Sequence, residues 1–119
     1  MTAFARRIRP SVQAELNAAE LADTSGRAAV AFGHLERAHV LGQAATAEHV
    51  RVHWQMLRWA VRHRRTGEAA GQLWRLAGAS LLTWCGWVPD GNTGGTNVSG
   101  LRRMAVPAEL QQVIEAAHR

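Results

Sequence analysis

Four side chains able to ligate a transition metal, Glu36, His39, His49 and His53, fall within one short stretch of the chain. Glu36 and His39 are three residues apart and His49 and His53 four apart, so at ~100° per residue each pair shares one helical face. Between the pairs lies LGQAATA, in which Gly42 reads as a helix stop and Thr46 as the N-cap of the next helix. If the hairpin turns near Ala44, antiparallel packing brings residues whose numbers sum to about 88 to one level. His39 then faces His49, and Glu36 faces His53 to within ~1.5 Å of helical rise.

Three imidazoles and a carboxylate are borderline ligands that suit Zn(II), Fe(II), Cu(II), Co(II) or Ni(II). Facing helices are a common way to build such a site, because they fix ligand direction without loops. Di-iron carboxylate bundles use two Glu-x-x-His units. This chain has one such unit, so a dinuclear centre would need a second copy in a homodimer, and a mononuclear site is simpler. The competing structural reading is that the histidines are hydrogen-bonded core residues and that Glu36 pairs with Arg37 or Arg58. His34 lies ~140° around the helix from His39, His63 sits at the far end of the next helix, and His118 is in the tail, so all three are placed outside the site. Glu48 is ~100° off the His49 face and reads as an acidic residue favoured at a helix start. Met56 and Cys85 are soft ligands for Cu(I), although a Met on a helical stripe is more economically core packing.

Other constellations are weaker. DGNTGGTNVSG could offer backbone N–H groups to an anion, yet it lacks the Gly-Lys-Ser/Thr ending of a P-loop. Arg51, Arg58, Arg62 and Arg65 form a stripe that could follow a phosphate backbone, but no nucleic-acid-binding motif accompanies it, so a solvated face is the favoured reading. No Ser-His-Asp, Cys-His or paired-carboxylate arrangement is legible.

The elements that must carry these residues are helices. The pattern predicts a basic, flexible lead-in over 1–9 and a single helical domain over 10–119. The first helix starts at Pro10 and Ser11 with Val12, Leu16 and Ala19 inward. A second, about 27–42, buries Val30, Phe32, Leu35 and Ala38, and a third spans about 45–64. Thr66 caps a fourth, carrying Leu73 and Trp74, and Pro107 opens a short terminal helix. Five of the eleven glycines crowd between Gly86 and Gly100, which predicts an irregular strap. The expected fold is all-α: a compact bundle of four to five helices built from antiparallel hairpins, with a Gly-rich C-terminal strap and a core anchored by indoles. Paired helices joined by short turns also resemble tetratricopeptide hairpins, although no 34-residue period recurs.

Composition narrows the setting. The net charge of +5 comes entirely from Arg, since the chain has no Lys, and such an excess bears on association and solubility, not on fold. Cys85 is the only cysteine, so no intrachain disulfide forms, as suits a reducing compartment. The apolar window from Leu76 to Val88 falls short of the ~20 residues that span a bilayer. With no apolar run after MTAFARRIRP to act as a signal peptide, the expected location is cytoplasmic, with no membrane partner.

At HLERAHVLGQ, HVRVHWQMLRW, EAAGQLWRL and WVPDGNTGGTNVS the chain resembles a family of small bacterial helical proteins described only as a domain of unknown function. The resemblance covers about residues 11–111. It implies a helical protein of this size and carries no activity, cofactor or site residue. The functional expectation therefore rests on the residues: a metal-binding helical protein holding one transition-metal ion through Glu36, His39, His49 and His53. The alternative is a tetratricopeptide-like module that binds a protein partner without metal.

Overall fold

Five helices and no strand make up the residues that the computed structural model describes, 1–84 and 104–119, with side chains placed for 1–76 and 104–119. They are α1 (Ala3–Thr24), α2 (Ala28–Gly42), α3 (Thr46–Arg62), α4 (Thr66–Trp84) and α5 (Ala108–His118). Only three residues separate each helix from the next among the first four, so these consecutive helices fold back on one another. α1 packs chiefly on α2 and α3 on α4, α2 and α3 join the two hairpins, and α5 closes over α1 and α2. The expected all-α architecture is the one found. The Gly-rich strap lies outside the described residues.

The first helix begins well before Pro10. Thr2 caps it, its hydroxyl accepting from Ala5 N–H at 3.0 Å, and Ile8 is fully buried. The flexible lead-in expected over 1–9 is therefore helical from Ala3. A proline inside a helix removes one hydrogen bond and normally kinks or ends it. Here tertiary contacts outweigh that loss: Phe4 stacks on His118 at 4.3 Å, and Arg7 Nη1 donates to the Ala117 carbonyl at the end of α5. Ile8, Val12, Leu16, Ala19 and Ala22 then form one buried stripe at helical spacing.

Both hairpin helices that lead into the next pair end in the same hydrogen-bonded turn. At the end of α1, Arg27 N–H returns to the Ala22 carbonyl at 2.9 Å and Gly26 N–H to Asp23 at 3.1 Å, with Gly26 at φ 78°. This is the Schellman arrangement, for which glycine is the natural residue. α3 repeats it with Arg65 N–H to the Ala60 carbonyl at 2.8 Å and Arg64 N–H to Val61 at 3.2 Å. There the left-handed position belongs to Arg64, φ 54°, at a steric cost that glycine escapes.

Gly42 and Thr46 differ from their expected roles. Gly42 is the last residue of α2 but has no positive φ; Gly26 is the described glycine that does. Its role is close approach, because a Cβ there would meet Glu48 Cβ at 3.1 Å and Val12 Cγ2 at 3.3 Å. Thr46 is the first residue of α3, and Ala45 holds the cap position without a side-chain bond.

The core runs through Ala31, Leu35 and Ala38 of α2 and Val52, Met56 and Ala60 of α3. Val30, placed inside by periodicity, is 45% exposed. The expectation of an indole-anchored core is also corrected: Trp54 and Trp74 are exposed, as is Leu73. Trp59 is the buried indole among the described residues, packed in a tilted pair with Phe32 at 4.5 Å and donating Nε1–H to the Ala28 carbonyl at 3.0 Å. Apolar area explains why an indole is favoured inside, but the choice among several on one helix depends on which face meets a neighbour.

Candidate metal centre

The short α2–α3 connection sets His39 of α2 against His49 and His53 of α3. His49 and His53 share a face one turn apart, and His39 reaches between them. Its Nε2 lies 2.9 Å from His49 Nε2 and 3.2 Å from His53 Nε2, and the latter two are 3.2 Å apart. The three rings are buried, with 3%, 7% and 2% of their residues' surface exposed. They meet edge to face or tilted, with centroids 4.7–4.9 Å apart. Among the described residues this is the group of three or more His, Cys, Asp or Glu whose ligand atoms lie close enough to hold one ion.

Glu36 stands outside that group. It is half-buried and lines a cavity of about 520 Å³ with Phe32, Trp59, Arg64, Thr66 and Glu68. The level matching paired it with His53. The imidazole of His39 is long enough to meet both α3 histidines, and Glu36, one turn further from the hairpin bend, is aligned with the Phe32–Trp59 layer.

A residue of α4 completes the surroundings. Gln72 is fully buried, its Oε1 2.5 Å from His53 Nδ1 and its Nε2 donating to Glu68 Oε1 at 2.7 Å. Sequence reasoning missed it, because glutamine carries no metal-ligand signature and the contact spans nineteen positions. The one available signal was a polar residue on the inward side of an otherwise apolar helix stripe.

The other titratable groups are held in separate networks. His34 Nδ1 meets Glu15 at 2.7 Å, Arg37 bridges Glu15 and Glu109, and His63 Nε2 meets Asp23 at 2.6 Å. Both histidines lie outside the triad, as expected. Glu48 is 2% exposed and pairs with Arg51 at 2.5 Å and Arg9 at 3.8 Å. Of the arginine stripe on α3, Arg51 is thus engaged, also reaching Gln13 at 2.5 Å, and Arg62 pairs with Asp23 at 2.9 Å.

Burial controls the charge of the triad. Loss of hydration pushes His49 down from 6.5 to about 3, with the charges of His53 and Arg75 adding to the effect. Burial likewise pushes His53 down to about 4, with Arg75 adding and the Gln72 bond and Glu68 opposing. Both rings are therefore neutral at pH 7, the form a metal requires. The sign for stability follows. The unfolded chain takes up protons as pH falls below 6.5, whereas the folded rings stay neutral, so this contribution is complete above 6.5 and is lost on the way down through about 4 and about 3. Metal-free protein is expected to lose about 1.4 kcal/mol per pH unit for each such ring once well below 6.5. Urea unfolding at pH 7, 6 and 5 checks this, and a midpoint that does not move would show that both rings titrate like exposed ones.

No helix among the described residues is long and apolar enough to cross a membrane. No curated protein and no solved structure matches the chain. Residues 6–114, nearly the whole of it, match the family model described as a protein of unknown function, DUF3703, and the chain belongs to that family.

Proposed function

We propose that this protein binds one divalent transition-metal ion through Nε2 of His39, His49 and His53, and acts in metal handling or as a simple metalloprotein. The observation that carries the reading is the convergence of three ring nitrogens of one kind on a single buried point. In a neutral imidazole each Nε2 is either an N–H or a lone pair, so among three facing Nε2 atoms at least one pair meets like to like, and a cation that takes up three lone pairs removes that mismatch. The three Nε2 atoms form a triangle with sides 2.9, 3.2 and 3.2 Å, a spacing compatible with one ion held at the ~2.0–2.1 Å of a metal–imidazole bond. The site would supply three protein ligands to such an ion.

Imidazole donors favour Zn, Fe, Cu, Co or Ni over Mg or Ca. Glu36, one turn from His39 along α2, is proposed as a fourth ligand beside the three imidazoles. A cytoplasmic location fits an exchangeable ion and a lone cysteine. Elemental analysis of the chain purified without an affinity tag or chelator tests the reading: about one ion per chain is expected, and neither resident metal nor uptake of added Zn, Fe, Cu, Co or Ni would refute it.

The alternative of a protein-interaction module draws on a different feature, a cavity of about 460 Å³ between α1 and α3 lined by Leu16, Asn17, Gln55, Arg58 and Trp59. It requires a chain whose melting temperature is indifferent to chelator. A fall on metal removal argues against it.

A further inference from the structure

We infer that Gln72, oriented by Glu68, is the positioning residue that commits His53 to metal binding through Nε2; the inference rests on the metal-binding reading above. The argument begins at the outer end of the chain of hydrogen bonds. An ionised carboxylate only accepts hydrogen bonds. The Gln72 atom 2.7 Å from Glu68 Oε1 is therefore the amide NH₂, and the carbonyl Oε1 must be the atom that faces His53 Nδ1 at 2.5 Å. A carbonyl oxygen only accepts, so His53 carries its proton on Nδ1. With that proton placed, the neutral ring has its lone pair on Nε2, the atom that lies 3.2 Å from both His39 and His49.

The arrangement is built rather than incidental. Gln72 has no exposed surface, and a buried amide with its hydrogen bonds unmade carries a large penalty. Its position on α4 also binds that helix to the α2–α3 hairpin through the site. Without the carbonyl, His53 is free to place its proton on Nε2, which cannot then coordinate. Ligand rings oriented by an outer acceptor are a general feature of metal sites, and losing that acceptor typically costs 10–100-fold in affinity.

The test uses the full chain, Co(II) as the probe, its visible ligand-field absorption as one readout, and chelator competition for affinity as the other. Gln72→Met keeps the volume and removes the acceptor. It is expected to weaken Co(II) binding about 10–100-fold and to change the absorption bands as His53 drops out. Gln72→Glu combined with Glu68→Gln restores an acceptor opposite Nδ1 and keeps an amide donor between positions 68 and 72, and this variant is expected to stay within a few-fold of the parent protein with its bands retained. A merely structural role would lower the melting temperature of both variants without separating their spectra. Co(II) binding that survives Gln72→Met unchanged, or that falls equally in both variants, overturns the inference alone. Absence of Co(II) uptake by the parent chain overturns the metal-binding reading and the inference with it.

Discussion

Replacing His39 and His49 together with alanine is expected to abolish stoichiometric metal uptake while leaving a folded helical protein. The two rings are partners across the α2–α3 interface, with Nε2 atoms 2.9 Å apart. Removing both leaves His53 alone, and one imidazole cannot hold an ion against water and buffer. The expected loss in affinity is at least about 10³-fold, more than the 10–100-fold of an outer-shell change. The fold survives because the surrounding core of Val12, Leu35, Val52 and Met56 is apolar and continuous. The substitution also removes the buried polar group of His49, whose burial disfavours its charged form. Metal-free variant protein should therefore be less sensitive to acid than the metal-free parent. Elemental analysis after dialysis, with circular dichroism on the same samples, reads both effects. One ion per chain in the double variant would sink the triad assignment.

Trp59→Ala is expected to produce the largest loss of stability of any single change in the described core, about 3–5 kcal/mol. Trp59 is 7% exposed, packs against Phe32 at 4.5 Å with the rings tilted, lies against His63 at 5.1 Å and donates to the Ala28 carbonyl at 3.0 Å. It thus joins the far end of α3 to the start of α2, at the opposite end of the hairpin from the bend. A domain of this length rests on a net stability of about 5–15 kcal/mol, so the melting temperature should fall by about 10–20 °C. His53 and His49 lie about two and three turns from Trp59 along α3, so saturating metal, if bound as proposed, should recover part of the loss. A decrease below about 1 kcal/mol in metal-free protein would mean that the indole is not a core anchor.

The histidine triad was legible because its geometry is local. A short turn between two helices lets residue numbers stand for heights, and His39, His49 and His53 are close enough to the bend that an error of one residue does not separate them. Glu36 was aligned by the same rule but lies one turn further out, where the reach of the His39 side chain decided which partner His53 meets. Gln72 was not legible, since its contact depends on how the α3–α4 hairpin packs. The start of α1 was missed for a related reason. Pro10 is a local signal for a helix boundary, whereas Phe4 on His118 and Arg7 on Ala117 are contacts between chain ends that no local pattern carries. The indoles show the same limit, because composition and periodicity put Trp54 and Trp74 on helices but not against anything.

The three-residue connection between α2 and α3 bears on how the protein folds. His39 and His53 are fourteen positions apart in sequence, so an ion that joins them closes a short loop, and loop-closure entropy grows only slowly with length. An ion bound as proposed would therefore favour early closure of the α2–α3 hairpin, and the Gln72 carbonyl that fixes His53 is added when α4 docks. Bound as proposed, the metal would act as an early clamp and is expected to raise the folding rate more than it slows unfolding, since contacts already made at the transition state have that signature. Any affinity of the unfolded chain for the proposed ion would make the rise in melting temperature on metal addition smaller than the affinity of the folded protein alone would give.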